Sequence, residues 1–304
     1  MNNQTFSKIL ILIIFIILII GGILTWQYFW VPKEKVEIPK EKVEIPKEKV
    51  EIPKEKVEIP EINLTTTKLA VISEKYNEIG DIFFSPNGRY VVYRVREGKK
   101  IFIVLNDRKG GKAYDFVQDL AFSPDSKQLV HVAREGKKVF IVLNDREGKA
   151  YDEIWPPTFS PDSKQLAYGA GKGKKMFIVL NDRKGRAYDF VQDPIFSPDS
   201  KQLAYRATYV VGDIGKGFIV LNDREGSKAY DWISGFAFSP DSKQLAYGAR
   251  KGKKEFIVLN GREGKAYDSV WDLAFSPDRK YIAYGAKIGN ELWWIVDKIE
   301  EFGK

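Results

Sequence analysis

The sequence predicts an all-β fold, a six-bladed β-propeller, and three observations support this. The motif Phe-Ser-Pro occurs six times, beginning at Phe84, Phe122, Phe159, Phe196, Phe238 and Phe275. The copies are 37 to 42 residues apart, and a fixed period of this size is typical of repeat architectures. Each repeat holds short runs rich in Val, Ile, Tyr and Phe between turn residues, which excludes a helical repeat.

Each repeat divides into four predicted strands, as the second repeat shows. The first strand is Asp119–Phe122, and the Ser-Pro-Asp-Ser turn after it places proline where a type I turn favours it. The second strand corresponds to Gln-Leu-Ala-Tyr in most repeats. The third is Phe140–Leu143 and the fourth is Lys149–Asp152. Four short strands per repeat match one propeller blade.

The two ends of the repeat region predict terminal-strand closure. The last repeat lacks the Lys-Ala-Tyr-Asp strand. Tyr76 lies eight residues before Phe84, just as Tyr114 lies eight residues before Phe122. We therefore expect residues 68–77 to supply the missing outer strand, which would remove open sheet edges.

Residues 1–31 are predicted to form one transmembrane helix. Ile9–Leu24 contains no charged or polar side chain, and four aromatic residues follow between Trp26 and Trp30. This length and aromatic edge are typical of a membrane span. A cleaved signal peptide is the alternative, but no small-residue cleavage site follows the apolar run.

Residues 32–60 are predicted to be an extended linker, or stalk. The heptapeptide Pro-Lys-Glu-Lys-Val-Glu-Ile is repeated four times from Pro32. A proline in every heptad excludes a coiled coil, and the extended segment would reach on the order of 80–90 Å. The lysines after the span favour a cytosolic domain. Because each is matched by a glutamate and long domains translocate regardless of charge, we expect a single-pass membrane protein with an extracytoplasmic propeller at residues 61–304.

The repeated Phe-Ser-Pro-Asp-Ser-Lys-Gln-Leu-Ala-Tyr is similar to the Ser-Pro-Asp-Gly-Lys core of WD40-like β-propellers of the TolB type. The resemblance covers residues 61–304. Most repeats carry Ser where that family has Gly, and only Gly88 keeps the glycine. The resemblance implies a six-bladed propeller that is often periplasmic or surface-exposed and often a binding platform. It implies no catalytic residues, because the shared motif is a structural turn.

Composition narrows the chemistry of any site. The chain has no Cys and one His, which excludes disulfides, thiolate chemistry and multi-His metal centres. His131 stands where other repeats have Tyr, so we interpret it as a strand residue. The aspartates of the Ser-Pro-Asp turns are interpreted as turn residues. We therefore predict no catalytic residue, no metal site and no cofactor.

The net charge of +8 raises the question of a nucleic-acid partner. Basic loops such as Lys137-Lys138 alternate with acidic crossings between repeats such as Asp115 and Asp152. We expect basic outer loops around a more acidic inner ring. That pattern argues against nucleic-acid binding.

In the segments that join consecutive repeats, which we call crossings, one position is always aliphatic. Candidate ligand-contact or partner-contact residues lie on either side of that position. Aromatic variation among near-identical units suits binding, although packing between blades explains it equally well. Tyr209 is added because it lies in the one distinct insertion. The candidates are Phe116, Gln118, Glu153, Trp155, Phe190, Gln192, Trp232, Trp271 and Tyr209.

These observations predict a membrane-anchored, stalked β-propeller that is not an enzyme and binds an unknown protein or surface ligand. The first alternative is a glycan-acting enzyme that uses paired carboxylates. The second is a purely structural repeat protein.

Overall fold

The computed structural model describes residues 76, 78–106, 108–211 and 214–303. These residues form six antiparallel sheets of consecutive strands, called blades 1 to 6 in chain order. The predicted all-β architecture with six propeller-type blades is confirmed within the described residues. The predicted anchor (1–31), the stalk (32–60) and most of the predicted closing segment (68–77) lie outside them.

Blades 1 to 3 contain the first thirteen strands. Blade 1 consists of β1 (Glu78–Phe84), β2 (Val91–Glu97), β3 (Lys100–Leu105) and β4 (Arg108–Lys109). Blade 2 consists of β5 (Phe116–Phe122), β6 (Leu129–Glu135), β7 (Lys138–Leu143) and β8 (Arg146–Glu147). Blade 3 consists of β9 (Glu153–Ile154), β10 (Thr158–Phe159), β11 (Leu166–Lys172), β12 (Lys175–Leu180) and β13 (Arg183–Lys184).

Blades 4 to 6 contain the remaining strands. Blade 4 consists of β14 (Phe190–Phe196), β15 (Leu203–Val211), β16 (Ile214–Leu221) and β17 (Arg224–Glu225). Blade 5 consists of β18 (Trp232–Phe238), β19 (Leu245–Lys251), β20 (Lys254–Leu259) and β21 (Arg262–Glu263). Blade 6 consists of β22 (Ser269–Phe275), β23 (Tyr281–Ile288) and β24 (Glu291–Lys298), followed by a 3-10 turn, Ile299–Glu301.

None of the described residues belongs to a helix long and apolar enough to span a membrane.

In blades 1 to 5 the fourth strand starts earlier than the sequence suggested. In blade 2, Asn144 and Asp145 both have positive φ, 49° and 62°, as the two central residues of a type I′ hairpin turn do. The Asn144 side chain also accepts a hydrogen bond from the Leu129 amide at 2.9 Å. This two-residue turn replaces the five-residue turn that we expected. β8 therefore begins at Arg146, and Tyr151 closes the strand through a bridge to Val139.

The Ser-Pro-Asp turns are held by their own side chains. In blade 2, the Ser123 hydroxyl donates to Asp125 Oδ1 at 2.7 Å and accepts from the Gln128 amide at 2.9 Å. Asp125 Oδ1 also accepts from the Lys127 amide at 3.1 Å. The Ser123 bond is the main cause that lowers the pKa of Asp125. These contacts support the structural interpretation of the turn aspartates.

In blades 2 to 5, the second serine of the Ser-Pro-Asp-Ser turn links the blade to the one before it. Ser163 of blade 3 is buried with φ +63°, and its hydroxyl accepts from the Asp125 amide of blade 2 at 2.9 Å. Asn87 donates to Ser126 at 3.1 Å, Asp162 to Ser200 at 3.0 Å and Asp199 to Ser242 at 2.9 Å. This serine ladder explains why Ser replaces Gly, since the hydroxyl offsets a strained backbone that glycine would tolerate.

The hydrophobic core lies between consecutive blades rather than inside each one. One cluster joins Val132 and Ile141 of blade 2 to Tyr168 and Phe177 of blade 3. Further clusters of the same kind join the other consecutive pairs of blades. Each blade thus depends on its neighbours for burial of its apolar surface.

His131 lies in this core at the position of the repeat tyrosine. It is 3% exposed, and its ring packs edge-on against Tyr114 at 6.1 Å, as Tyr168 packs against Tyr151 at 6.3 Å. Within the described residues neither ring nitrogen has a hydrogen-bond partner. Burial lowers the pKa of His131 to about 4.

The serine ladder predicts different costs for two substitutions at Ser163. Ser163→Ala keeps the strained φ and loses the bond from the Asp125 amide, so it should lower the free energy of unfolding by about 1–2 kcal/mol. Ser163→Gly loses the same bond but relaxes the backbone, so its cost should be smaller. Denaturant unfolding of the full chain compares the two. An alanine variant as stable as the wild type would contradict the ladder.

The buried imidazole predicts a loss of stability in acid. The unfolded pKa is about 6.5, so below that pH the unfolded chain binds a proton that folded His131 rejects until about pH 4. His131 therefore stabilises the fold fully above pH 6.5, and up to about 3 kcal/mol is lost as the pH falls towards 4.

The matched control for His131 is His131→Tyr, which restores the residue of the other repeats. Unfolding of both proteins is measured from pH 7 to pH 4, and the difference between them isolates the imidazole. We expect the difference to grow in acid in favour of the tyrosine variant. If the difference in unfolding free energy between the two proteins did not depend on pH, the imidazole would titrate alike in the folded and unfolded states, which would contradict the prediction.

Candidate functional site

The crossings between blades carry a repeated polar contact. Asp115, between blades 1 and 2, accepts from the Gly136 amide at 2.7 Å through one oxygen and pairs with Lys100 Nζ at 2.9 Å through the other. The Gly136 amide and then Lys100 lower the pKa of Asp115. The same lysine–aspartate pair recurs as Lys175–Asp189, Lys216–Asp231 and Lys254–Asp268. The lysines of the loops are therefore paired with the aspartates of the crossings, whereas we expected separate basic and acidic rings.

The joint between blades 2 and 3 departs from this pattern. Asp152 accepts from the Gly173 amide at 2.7 Å, as its equivalents do with their own loops. Lys138 occupies the position of Lys100, yet no salt bridge links it to Asp152. The second oxygen of Asp152 is thus left for other contacts among the described residues.

The innermost strand is also interrupted at this joint and at no other joint among the described residues. Blade 3 splits this strand into β9 and β10, with Trp155, Pro156 and Pro157 between them. Proline has no amide hydrogen to donate to a neighbouring strand. The other inner strands are continuous for seven residues, each with a bulge in its register. The Pro-Pro pair therefore interrupts the regular ladder directly after Trp155.

Trp155 is accommodated by two glycines on the adjacent strand. A Cβ built on Gly169 would lie 3.3 Å from Trp155 Cβ, and one on Gly171 would lie 3.6 Å from the indole edge. The Trp155 amide donates to the Gly169 carbonyl at 2.9 Å. The indole therefore lies against bare backbone, where a larger neighbour would displace it.

These departures surround a cavity of about 560 Å³ between blades 2 and 3, which we call the joint cavity. Its apolar lining comes from Val132, Val139 and Ile154, and its aromatic lining from Phe116 and Trp155. Its polar lining comes from Gln118, Arg134, Lys137, Asp152 and Glu153, together with the Gly136 backbone.

The two walls of the joint cavity have opposite charge. Blade 2 contributes Arg134 and Lys137, while the blade 3 side contributes Asp152 and Glu153. Among the described residues none of these four side chains takes part in a salt bridge. The Arg134 guanidinium lies 5.2 Å from the centre of the Phe116 ring, which fixes one aromatic wall by a cation–π contact. The cavity can therefore contact apolar, aromatic, cationic and anionic groups together.

Four of the nine predicted residues meet in the joint cavity, namely Phe116, Gln118, Glu153 and Trp155. The other five lie elsewhere, in blades 4, 5 and 6. Phe190 is exposed on β14, and Trp271 lies against Gly285, where an added Cβ would collide with the indole.

Three of these five have neighbours within the fold. Gln192 accepts from the Arg206 guanidinium, which also lies 4.9 Å from the Trp232 ring. Tyr209 packs 5.2 Å from Tyr188, and its hydroxyl donates to Glu225 at 3.2 Å.

Three charged residues of the joint cavity were not predicted from the sequence: Arg134, Lys137 and Asp152. Arg134 and Lys137 are part of a loop pattern shared by other repeats, so nothing in their own repeat marked them. The available signal was the combination of Pro156-Pro157 with glycine at both 169 and 171, which occurs in one repeat only. A metal centre has no support there, because no cluster of three or more His, Asp or Glu suited to a metal occurs in the described part of the chain.

Comparison with known proteins gives the fold alone. No family model and no curated protein matches this chain. The similar solved structures include TolB from Acinetobacter baumannii, with 16% identity over 72% of this chain and 60% of that one and a TM-score of 0.36. The propeller domain of the Trilobed protease from Pyrococcus furiosus has 12% identity over 74% and 82%, with a TM-score of 0.42.

Hydrazine synthase from Kuenenia stuttgartiensis is also similar, with 17% identity over 73% of this chain and 77% of that one and a TM-score of 0.38. The solved structures that this chain matches thus include TolB and other β-propellers, as its Ser-Pro-Asp repeats led us to expect. At these identities and scores the similarity extends to the propeller fold and not to any activity.

Proposed function

We propose that this protein is a membrane-anchored, stalked β-propeller that binds a protein partner, with the joint cavity as the centre of its binding face. Residues 1–31 would hold the chain in the membrane, and the Pro-Lys-Glu repeats of residues 32–60 would set its distance from the surface. The mechanism is display, in which a rigid domain presents one face outside the cytoplasm. The apolar run and proline-punctuated heptads of the sequence support these assignments.

The observation that carries the proposal is the concentration of departures from the repeat at one joint. The interrupted strand, the paired glycines, the missing lysine contact and four charges without salt bridges all occur between blades 2 and 3. At the other joints that the structure describes, the lysine equivalent to Lys138 pairs with the crossing aspartate, and the inner strand is continuous. Where one of several near-identical repeats lacks the contacts that the others make, its side chains are available to contact a partner.

The composition of the joint cavity favours a protein partner. Tryptophan and arginine are enriched at the energetic centres of protein interfaces, and a small apolar floor with charged walls resembles such a centre. A matching partner would insert an apolar side chain flanked by charges of both signs. The acidic group would face Arg134 and Lys137, and the basic group would face Asp152 and Glu153.

Catalysis by paired carboxylates receives less support. A general acid needs a raised pKa, whereas hydrogen bonds and lysine neighbours lower the pKa of Asp115, Asp189, Asp231 and Asp268. Burial raises the pKa of Asp119, but this side chain does not line the joint cavity. We therefore favour binding over chemistry.

The proposal predicts that Trp155→Ala abolishes partner capture. Tagged full-length protein, extracted from membranes in detergent, is compared with the variant by quantitative mass spectrometry of the proteins that it captures. Because Trp155 lies near the surface of the joint, loss of its indole should remove at least about tenfold in affinity, as for an interface hot spot. The matched control is Trp232→Ala, which removes an exposed tryptophan at another joint.

A second variant tests the charges of the joint cavity. Exchanging Arg134→Glu together with Glu153→Arg keeps the net charge and the overall composition but leaves each wall with one charge of each sign, which removes the charge difference between the walls. We expect the partners lost with Trp155→Ala to be lost here too, while Trp232→Ala retains them. Equal capture by the wild type and all three variants would refute the joint cavity as a binding centre.

A further inference from the structure

His131 lines a second cavity, which lies between blades 1 and 2 and which we call the His131 cavity. Its volume is about 280 Å³, and it shares no lining residue with the joint cavity. Its apolar lining comes from Ile103 and Val142, and its aromatic lining from Tyr114 and His131. An apolar space of about 150 Å³ is enough for one benzene ring. The His131 cavity is therefore large enough for a single-ring aromatic molecule.

Two departures from the repeat coincide at this cavity. The first is His131, since the other five repeats have tyrosine at this position. The second is Gly111, which makes the segment between β4 and Tyr114 one residue longer than its equivalents in blades 2, 3 and 5. Gly111 lines the cavity, and a Cβ built on it would meet no atom within 4 Å. This wall of the cavity is therefore bare backbone beside open space.

The imidazole occupies the place of the tyrosine ring but not of its hydroxyl. Its plane makes an angle of 69° with the Tyr114 ring, the same angle as between Tyr151 and Tyr168 at the next joint. At the joint between blades 5 and 6, the hydroxyl oxygens of Tyr267 and Tyr284 lie 3.5 Å apart. A histidine ring does not reach the position of that second hydroxyl. The joint between blades 1 and 2 thus lacks one polar group that its equivalent has.

The two imidazole nitrogens of His131 have no hydrogen-bond partner among the described residues, although the side chain is 97% buried. The nearby Tyr114 hydroxyl interacts instead with the carboxylate of Glu147. Because burial lowers the pKa of His131 to about 4, its ring is neutral near pH 7 and offers one N–H donor and one acceptor. A buried polar group without a partner is unfavourable, so a ligand that bonds to it gains affinity.

The charges around the His131 cavity disfavour an anionic ligand. Lys112 is the one cation of its lining, and its Nζ already lies 2.5 Å from Glu147 and 3.3 Å from Glu135. The Asp145 carboxylate also lines the cavity. An anion would therefore have to compete with two carboxylates for Lys112 and would be repelled by a third. A neutral hydroxyl group meets neither cost.

We propose that the His131 cavity binds a small, uncharged, hydroxylated aromatic molecule, a phenol. Its hydroxyl group exchanges a hydrogen bond with the imidazole of His131, in place of the tyrosine hydroxyl of the other repeats. Its ring lies against Val142 and the backbone of Gly111. A phenol suits this site because its ordinary pKa is near 10, so it stays neutral at pH 7.

Binding of 4-fluorophenol to the full-length protein tests the proposal. The chain has a single histidine, so labelling with ¹³C-histidine and purification without a histidine tag give one imidazole signal, that of His131. We expect 4-fluorophenol to shift this signal saturably. Fluorobenzene, which lacks the hydroxyl, and 4-fluorobenzoate, which is an anion, should each bind about tenfold more weakly, a factor typical of one good hydrogen bond.

Two substitutions separate the imidazole nitrogens from the space beside them. His131→Tyr restores the repeat residue, whose hydroxyl takes the ligand's place, and should abolish the binding that ¹⁹F spectra of the ligand report. His131→Phe keeps a ring without nitrogen atoms, so it should weaken 4-fluorophenol about tenfold and leave fluorobenzene unchanged. The ¹⁹F spectrum in the presence of His131→Tyr also gives the background from partition into detergent.

Deletion of Gly111 tests the longer segment independently. It restores the length found in blades 2, 3 and 5, so it should narrow the cavity and reduce 4-fluorophenol binding at least about tenfold. The matched control is deletion of Ser227, the additional residue at the same place in blade 4, where the repeat tyrosine Tyr247 is present. This control should bind as the wild type does.

Three results would overturn the proposal. Absence of a saturable shift at His131 would show that the cavity holds water only. Equal affinity for the three probes would show that the imidazole does not select a hydroxyl group. Undiminished binding after His131→Tyr or after deletion of Gly111 would place the ligand elsewhere on the protein.

Discussion

Each blade of this protein buries its apolar faces against the blades next to it in the series. The hydrophobic clusters lie between sheets, and the serine ladder adds a directional hydrogen bond from the turns of blades 1 to 4 to the turn of the next blade. A four-stranded sheet of this size has too little surface to form its own core, so stability resides in the joints. The serine ladder, the cavity between blades 2 and 3 and the buried imidazole of His131 are all properties of joints.

This dependence makes departures from the repeat informative. Where a joint keeps the repeated contacts, its side chains are occupied, as Lys100 is by Asp115. The joint between blades 2 and 3 lacks the lysine–aspartate salt bridge and has an interrupted inner strand. It retains the hydrogen bond from the Asp125 amide to the Ser163 hydroxyl. Its structural attachment and the proposed binding surface thus depend on different residues. That separation allows one joint to change its chemistry without loss of the fold.

Much of the fold was predictable because its signals are local. The Phe-Ser-Pro period gave the number of blades, and the turn residues placed the strands. The start of the fourth strands was not predicted, because a two-residue turn at Asn144-Asp145 and a five-residue turn look alike in sequence. The inter-blade role of Ser126 and its equivalents also escaped prediction, since it depends on a residue about 38 positions away.

The candidate site was only half predictable for a related reason. Variation in the crossings identified Phe116, Gln118, Glu153 and Trp155, but it gave the same weight to residues at other joints. The missing contact at Asp152 has no sequence signature, because Lys138 is present just as Lys100 is. Only the side-chain arrangement shows that one lysine pairs and the other does not. Anchor and stalk rest on sequence patterns outside the described residues.

Native-state hydrogen exchange of the turn amides tests most directly whether the blades are coupled through their turns. Asp125, Asp162 and Asp199 donate to a serine of the next blade, whereas the turn that follows Asp241 carries Arg279 in place of that serine. If the serines couple the blades, the first three amides exchange slowly, with the protection of core strands, and the Asp241 amide exchanges faster. Equal and rapid exchange at all four positions would show that the serines contribute nothing to the joints and would contradict the account.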